Sequence, residues 1–378
     1  MNIEHAGGRT HRGRGMARRL ARRFLPAIRG SIMSLASFVQ RMPKAELHLH
    51  LEGAVSASTF AELAARNGVA LPAGKPVAEL YSYGNLQDFL KVYDLVCASI
   101  RTADDFSRVT FETLERCALG GARYVEMFFS PHAHLAHGVA YATMLDGILD
   151  GFRRAKERYG LVAKLIPAHA KPLGVEGGER FLDMVLAERP AEVIGIGFDY
   201  DERPNPPPMF AGIVERARAA GLNVTNHAGE DGPADYVRDS VDVLGLGRVD
   251  HGYHVVDDPA LVEHCRERNI VFTCCPTTTL TTTVWRNLAA PDHAIRRMIE
   301  AGLNVTIHTD DPAMFGTTLD REYALVAENF GLSPQALKTI ALAGLQAAWL
   351  DDGVKQAWIA DWSAEIDRLI DTELPLPS

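Results

Sequence analysis

The segment KAELHLHLEG, residues 44–53, alternates polar and apolar positions with the period of a half-buried β-strand. Its polar positions include His48 and His50, which share one face because side chains alternate along a strand. At about 3.3 Å per residue, these two imidazoles start roughly 6 to 7 Å apart. The pattern therefore predicts a strand that directs two histidines toward one point.

Short apolar, β-branched runs recur after residue 34, and helical patterns separate most of them. The predicted strands are 45–51, 122–130, 161–170, 193–200, 222–228, 248–254, 270–276 and 303–311. Intervening helical stretches, such as 106–121, 208–221 and 259–269, each close on Gly or Asn, which is typical of helix C-termini. Strands alternate with helices, and the composition does not change along the chain as it would at a domain boundary. This pattern predicts a single α/β domain over residues 34–378 with the fold of a (β/α)₈ TIM-type barrel. An open doubly wound sheet is the alternative, but LEGAVSAST is a poor phosphate-binding turn.

Composition indicates an ordinary globular enzyme. Hydrophobic residues make up 47% and charged residues 23% of the 378-residue chain, which excludes a disordered protein. No run of 18 or more apolar residues is present to span a bilayer. The five cysteines are odd in number and lack CxxC spacing, so neither a disulfide framework nor a thiolate zinc site is indicated. We expect a reduced, cytoplasmic protein without a membrane partner.

Charge is unevenly distributed along the chain. Residues 1–30 contain eight arginines and one acidic residue, whereas the whole chain has a net charge of −9, so residues 31–378 sum to −16. An acidic body argues against nucleic acid as the partner of the folded domain. Residues 1–33 lack the apolar stretch of a secretory signal, and we expect a basic, disordered extension there.

Four motifs rich in histidine and aspartate fall at the ends of predicted strands, where parallel barrels carry their catalytic residues. They are HLH at 48–50, HAGE at 227–230, DHG at 250–252 and HTDDP at 308–312. Imidazoles with a carboxylate are a zinc-type ligand set, and the mouth of a barrel brings ligands from distant segments together. A lone strand histidine is usually structural, but this concentration predicts a metal site.

Carboxylates accompany these histidines. Glu230 follows His227 by three positions, so the two side chains share a face if a helix begins there. Beside a metal-activated water, Glu230 could serve as general acid or base; an isolated glutamate would simply be a solvated charge. Gly229 permits close backbone approach. Asp310 and Asp311 precede a proline and could cap a helix, or one could bind metal while the other meets substrate.

Taken in order, KAELHLHLEG, NHAGEDGP, RVDHG, CCPTT and HTDDPAMFG resemble motifs of the adenosine/adenine deaminase family of the amidohydrolase superfamily. The resemblance covers nearly all of residues 40–350 and implies a (β/α)₈ barrel with one Zn²⁺ per chain. It also implies hydrolytic removal of the 6-amino group of an adenine-type purine, releasing ammonia and the 6-oxo purine.

The resemblance implies a role for each site residue. The zinc ligands would be His48, His50, His227 and Asp310. Glu230 would protonate purine N1 as water attacks C6, and His251 would orient that water and help to remove its proton. Asp311 would accept a hydrogen bond at N7.

Departures from the nucleoside enzymes bear on the substrate. Glu52 stands where adenosine deaminases commonly carry an Asp that reaches the ribose 5′ hydroxyl, and no glycine follows Asp199 before Pro208 to meet ring N3. NHAGEDGP and NLQDFL favour the adenine deaminase subgroup, MFGTTLDREY resembles nucleoside enzymes, and CCPTTT departs from the CPxSN of both. We favour adenine or an N6-substituted adenine. Adenosine, 2′-deoxyadenosine and a larger adenine-containing metabolite are the alternatives.

The sequence also offers candidate residues for the substrate pocket and leaves two other kinds of protein to consider, a binding protein and a binuclear hydrolase. Candidate pocket residues are Glu52, Gly229, Phe128, Phe129, His132 and His134, with one of the two phenylalanines expected in the barrel core. A catalytically inactive barrel acting as a binding protein would have lost a key position, and none is lost. A binuclear amidohydrolase would need a bridging modified lysine, for which Lys164 or Lys171 is nearest. One metal ion per chain fits the deaminase, two fit the binuclear enzyme and none fits the binding protein; a homo-oligomer is compatible with all three.

Overall fold

The computed structural model describes residues 35–374, and its strands form a parallel barrel. The strands are β1 Lys44–His50, β2 Ala122–Phe129, β3 Val162–Ala170, β4 Gly195–Asp199, β5 Asn223–Val224, β6 His227–Ala228, β7 Arg248–His251, β8 Val271–Cys274 and β9 Asn304–Ile307. Neighbours pair in parallel from β1 to β5 and from β6 to β9. Since β5 and β6 are two pieces of the predicted strand 222–228, the eight predicted strands and the (β/α)₈ fold are confirmed.

The barrel closes where β1 meets the segment after β9. The backbone N–H of His50 donates to the Asp310 carbonyl at 2.8 Å, and the Asp310 N–H donates to the His48 carbonyl at 2.9 Å. Leu49 and Asp310 form the corresponding parallel bridge. Closure thus places Asp310 beside both histidines of β1 through backbone hydrogen bonds alone.

Helices surround the barrel. The α-helices are Ala57–Arg66, Val77–Leu80, Leu86–Ser99, Ala103–Leu119, Pro131–Leu135, Tyr141–Tyr159, Gly174–Ala187, Ala211–Ala219, Ala234–Asp242, Pro259–Glu267, Pro276–Thr282, Ala294–Glu300, Leu319–Phe330, Pro334–Ala347 and Asp352–Glu373. Short 3₁₀ helices are Lys171–Leu173, Pro207–Phe210 and Tyr253–Asp257. The three helices quoted from the sequence are present; one end agrees, and the other five are shifted by two or three residues.

Local sequence explains a typical helix start. Helix Ala103–Leu119 begins with a capping box in which Thr102 Oγ1 accepts the Asp105 N–H and Asp105 Oδ2 accepts the Thr102 N–H. Such a cap stabilises a helix by about 1 kcal/mol. The helix then buries Phe106 against the barrel.

The lower interior of the barrel is polar. Arg248 on β7 donates to Glu126 on β2 at 2.6 Å, and the side chains are 3% and 0% exposed. The guanidinium also lies 3.6 Å from the ring centroid of Trp349. This buried ion pair closes the barrel below the level of His48.

Two expectations from composition meet the described residues. Within 35–374, no helix is both long and apolar enough to cross a bilayer. All five cysteines are buried and unpaired. The basic extension predicted for residues 1–33 lies outside the described residues.

Candidate active site

Four metal-type side chains meet at the C-terminal mouth of the barrel. His48 and His50 lie at the end of β1, His227 begins β6 and Asp310 follows β9. Nε2 of His227 lies 3.1 Å from Nε2 of His48 and 3.2 Å from Nε2 of His50. Oδ1 of Asp310 lies 3.3 Å and 3.5 Å from the same two nitrogens. The structure therefore gathers the four predicted ligands around one point.

The spacing and chemistry of these donors fit a divalent metal ion. Ligand atoms about 2.0 to 2.1 Å from one zinc ion, at tetrahedral angles, lie about 3.3 to 3.4 Å apart. The measured separations run from 3.1 to 3.5 Å. Three ring nitrogens turned toward one another cannot all be satisfied by their own protons, whereas a cation accepts all three lone pairs. The buried set of three imidazoles and one carboxylate suits zinc and several other divalent metals.

A buried carboxylate, Asp250, supports two of the ligand rings from behind. Thr273 Oγ1 lies 3.0 Å from His48 Nδ1 and donates to Asp250 Oδ1 at 2.8 Å. Asp250 Oδ2 lies 3.4 Å from His227 Nδ1 and accepts from Thr225 Oγ1 at 2.9 Å. A ring nitrogen that binds metal carries no proton, so the proton of each ring is directed to Nδ1, where these acceptors stand.

Two carboxyl groups beside the ligands have raised pKa values. Burial, reinforced by the charge of Asp310, raises the pKa of Glu230 to about 8, so this group is protonated near neutral pH. Burial and the same charge raise the pKa of Asp311 well above its usual range. Both side chains line the cavity described below. They can therefore act there as proton donors.

His251 is held as a neutral base. Its Nε2 lies 3.7 Å from Glu230 Oε2 and 3.9 Å from Asp310 Oδ2, and its Nδ1 lies 3.1 Å from the Tyr253 hydroxyl. That hydroxyl donates to the Cys275 carbonyl at 3.3 Å and accepts the Cys275 N–H at 2.9 Å. Its remaining lone pair accepts from His251 Nδ1, which leaves Nε2 unprotonated toward the metal ligands. Burial, with the charge of nearby His48, lowers the pKa of His251 and favours this neutral form.

Unusual backbone conformations cluster at this mouth. Among the described residues, the non-glycine positions with positive φ are Tyr200, His251, Asn269 and Asp310, at 63°, 64°, 50° and 62°. Asn269 ends a helix turn, but the other three face the metal ligands or the cavity beside them. Such conformations cost of order 1 to 3 kcal/mol each and persist where the surroundings enforce them, typically at functional sites.

A cavity adjoins the ligands, and its empty space of about 420 Å³ includes part of the open solvent at the mouth. Its lining combines metal ligands and acids with an apolar rim: His50, Leu86, Phe89, Leu90, Tyr93, Asp199, Tyr200, His227, Glu230, His251, Thr278, Thr282, Asp310, Asp311 and Phe315. Such a site accepts a small, flat molecule with polar edges.

The adenosine deaminase family profile matches residues 43–363. The chain belongs to the adenosine deaminase family. It is 36% identical over 337 residues to an adenine deaminase of Cupriavidus necator, covering 89% of this chain and 94% of that one. It is 38% identical over 313 residues to an adenine deaminase of Streptomyces coelicolor, covering 82% and 91%.

Solved structures agree with this assignment. The adenine deaminase of Arthrobacter aurescens gives a TM-score of 0.82 at 34% identity, over 86% of this chain and 99% of that one. An amidohydrolase from Burkholderia ambifaria with bound zinc gives 0.83 at 36% identity, over 89% and 94%. The N6-methyl-AMP deaminase of Arabidopsis thaliana, 22% identical over 87% and 98%, shares the fold with a TM-score of 0.75. The protein is thus a metal-dependent hydrolytic deaminase that cleaves a C–N bond.

The deaminase keeps Glu52 inside the wall rather than at the cavity surface. Its Oε2 accepts from the Tyr93 hydroxyl at 2.9 Å, while Oε1 accepts the Ser130 N–H and contacts His134 Nε2, both at 2.9 Å. Glu52 and His134 are fully buried and do not line the cavity. The carboxylate shapes the wall through Tyr93, which does line it.

Three other predicted substrate contacts of the deaminase also lie outside the cavity lining. Phe129 stacks on Tyr141 in the outer core, with ring centroids 6.1 Å apart, because strand alternation turns it away from the barrel axis. His132 packs against Tyr200 at 4.9 Å. Gly229, at φ 74°, forms the turn before Glu230. Phe128 is the inward phenylalanine and stacks on the ring of the ligand His50.

Two structural expectations of the motif analysis are corrected. No helix begins at residues 227–230; His227 lies in β6, Glu230 in a turn, and the next helix starts at Ala234. Asp310 and Asp311 cap no helix, because the chain continues through turns until Leu319.

Neither lysine of the binuclear alternative directs its ammonium group at the ligand side chains. Lys164 donates to the Ala191 carbonyl at 3.4 Å on the outside of the barrel. Lys171 donates to the backbone carbonyl of His227 at 2.5 Å. Neither lysine therefore supplies a bridging ligand for a second metal ion at this site.

Sequence reasoning missed the side chains that frame the cavity. Tyr93 and Tyr200 face each other with ring centroids 5.8 Å apart, and Leu86, Phe89 and Phe315 supply the apolar rim. The signals were present in NLQDFL, MFG and the segment after Asp199, but a motif does not reveal which residues turn inward.

Proposed function

We propose that this deaminase is a zinc enzyme that hydrolyses the exocyclic C6–N bond of free adenine or of an N6-substituted adenine. The products are ammonia, or the corresponding amine, and the 6-oxo purine. The convergence of four metal-type ligands with Glu230 at the barrel mouth is the observation that carries the proposal. Relatives named adenine deaminase, 34 to 38% identical, support a purine base as substrate.

The chain supplies acid, base and orientation for this reaction. Zinc held by the four ligands contributes Lewis-acid activation of water. His251 Nε2 accepts a proton as the water oxygen bonds to C6, and the protonated Glu230 donates to ring N1, which makes C6 electrophilic. Asp311, protonated through its raised pKa, donates to N7 rather than accepting there as the resemblance implies, and so fixes the ring plane. The proton taken by His251 passes to the exocyclic nitrogen, whose bond to C6 breaks as ammonia leaves. The hydroxyl proton that remains at C6 passes to Glu230, which restores the acid and leaves the 6-oxo purine protonated at N1.

The walls favour a base over a nucleoside. A ribose adds hydroxyl groups that must be hydrogen-bonded when buried, at a cost of about 1 to 3 kcal/mol for each group left unpaired. Glu52, the carboxylate that would meet the 5′ hydroxyl, is withdrawn to Tyr93, Ser130 and His134. The rim side chains Leu86, Phe89, Leu90 and Phe315 carry no acceptor that could replace it.

A substrate panel tests the proposal. Ammonia or amine release is measured from adenine, N6-methyladenine, adenosine, 2′-deoxyadenosine and AMP, with Glu230→Gln as the inactive control. We expect the free bases to release ammonia or amine faster than the nucleosides do. Adenosine turnover at least as fast as adenine overturns the free-base assignment, and a silent panel with metal in place overturns the deaminase assignment for these purines.

Metal analysis tests the cofactor. Protein stripped of metal and reloaded separately with Zn²⁺, Fe²⁺ and Mn²⁺ should bind one ion per chain, with zinc giving the highest turnover. Two ions per chain would favour a binuclear hydrolase instead, and none would favour a binding protein.

We also place the reaction in the cytoplasm, since the five buried, unpaired cysteines suit a reducing compartment.

A further inference from the structure

Glu202 makes an unusual set of contacts in the loop after β4. Its side chain is buried, and its carboxylate accepts hydrogen bonds from four consecutive backbone N–H groups. The donors are Gly229 at 2.8 Å, Glu230 at 2.9 Å, Asp231 at 2.9 Å and Gly232 at 2.7 Å. Oε2 accepts the first bond and Oε1 the other three. One side chain therefore satisfies the whole turn that carries Glu230.

A buried lysine extends this support to a metal ligand. Lys171 Nζ donates to the His227 carbonyl at 2.5 Å and lies 4.0 Å from Glu202 Oε2. Asn205 Nδ2 donates to the Lys171 carbonyl at 2.8 Å and ties the loop after β4 to the lysine. The two charged side chains thus hold both ends of the segment from His227 to residue 232.

Residues 229–232 of this segment have no regular structure of their own to fix them. The segment leaves β6 after Ala228 and turns at Gly229, where φ is 74°. Gly232 gives Glu202 room, since a Cβ there would lie 2.8 Å from Glu202 Cδ. Without Glu202, four backbone donors would lose their acceptor, and their position would no longer be determined.

We propose that Glu202, assisted by Lys171, is the positioning residue that sets Glu230 and His227 at their working distance. It acts through the backbone of the turn and touches neither substrate nor metal. The inference rests on the proposed function for the role of Glu230. A misplacement of about 1 Å in a reacting group can cost about 100-fold in rate.

Glu202→Gln is the decisive variant because it preserves shape. An amide oxygen at the Oε1 position keeps three of the four bonds, while its NH₂ group replaces Oε2 and faces two donors, the Gly229 N–H and the Lys171 ammonium. Glu202→Asp keeps the charge on an arm one methylene shorter, and should recover part of the lost rate. Glu176→Gln is the matched control, since that side chain is 90% exposed.

The metal-loaded full chain is assayed for kcat, KM, metal content, thermal unfolding and hydrogen–deuterium exchange. In Glu202→Gln we expect kcat to fall about 10- to 100-fold with KM changed less than about 3-fold and one metal ion retained. Backbone exchange at residues 229–232 should rise at least about 10-fold. Glu176→Gln should match the parent in every readout.

Several results would overturn the inference. Unchanged exchange at 229–232 would do so whether or not the protein deaminates adenine, so the proposed function can fail separately. Faster exchange with an unchanged kcat would leave Glu202 as merely structural. If Glu202→Gln does not fold, Glu202→Asp decides, and wild-type kcat and exchange in that variant would refute positioning.

Discussion

Substituting Asp250 by Asn should weaken metal binding without unfolding the barrel. This one carboxylate faces both rings. Its Oδ1 accepts from Thr273 Oγ1, which lies 3.0 Å from His48 Nδ1, and its Oδ2 lies 3.4 Å from His227 Nδ1, a charge contact rather than a hydrogen bond. Asn preserves the volume and one acceptor oxygen. Its NH₂ group must face one of the two rings as a donor, which disfavours the Nδ1-protonated ring that leaves Nε2 free for metal.

The magnitude follows from the number of ligands affected. Loss of a partner behind one metal ligand typically costs 10- to 100-fold in affinity. With either orientation of the Asn amide, one of the two rings faces an NH₂ group, and both lose the nearby negative charge. We therefore expect a rise in Kd of about 10- to 100-fold, or about 1.4 to 2.7 kcal/mol. Thr225 and Thr273, which donate to Asp250, lose little stabilisation in the variant, because their hydroxyl groups can rotate to other partners.

Competition against a chromogenic chelator measures this Kd directly. The matched control is Asp235→Asn, whose side chain is 82% exposed on helix Ala234–Asp242. In excess chelator, the unfolding midpoints of both variants should lie within a few degrees of that of the parent protein. This comparison separates metal affinity from stability. Equal Kd values for the two variants would refute the assigned role of Asp250.

Three further predictions follow from the same contacts. Gly53→Ala should lower kcat/KM at least about 100-fold, because a Cβ there would lie 1.7 Å from Asp311 Oδ1; a parent-like value in a steady-state assay would contradict this. Activity should fall as pH rises through the pKa of Glu230, about 8 or lower once a cation is bound, because the acid must be protonated; a flat pH–rate profile from about 7 to 9 would count against this acid. Arg248→Met should reduce the free energy of unfolding by about 3 kcal/mol in urea titrations by stranding Glu126, and a loss below about 1 kcal/mol would show that the pair is dispensable. Matched controls at open or exposed positions are Gly212→Ala and Arg180→Met.

The sequence predicted most of what repeats along the chain. Eight strands were recognised as short apolar, β-branched runs separated by helical patterns. The ligands were recognised because His48, His50, His227 and Asp310 fall at strand ends. Those features depend on local pattern and on barrel geometry, which places strand ends together. The fold and the gathering of the four ligands were therefore accessible before any coordinates.

What the sequence could not predict depends on contacts between distant segments. Asp250 meets a threonine 23 positions away, and Glu202 meets a turn 27 to 30 positions away. Neither contact leaves a periodic trace, because each side chain is one polar residue in a loop or strand. The same limit explains why Phe129 and His132 were predicted to line the cavity but do not. A motif after a strand does not determine which side chain turns toward the barrel axis.

The polar face of β1 links the site to four parts of the molecule at once. Lys44 donates to the Met42 carbonyl at 2.7 Å at the base of the barrel, and Glu46 accepts from Thr309 Oγ1 at 2.9 Å beside the closing segment. His48 and His50 provide metal ligands, and Glu52 holds the Tyr93 wall. Moving β1 by one residue would reverse all five side chains between the interior and the outer core. The alternation that first suggested a strand therefore also fixes its register, and with it the geometry of the metal site.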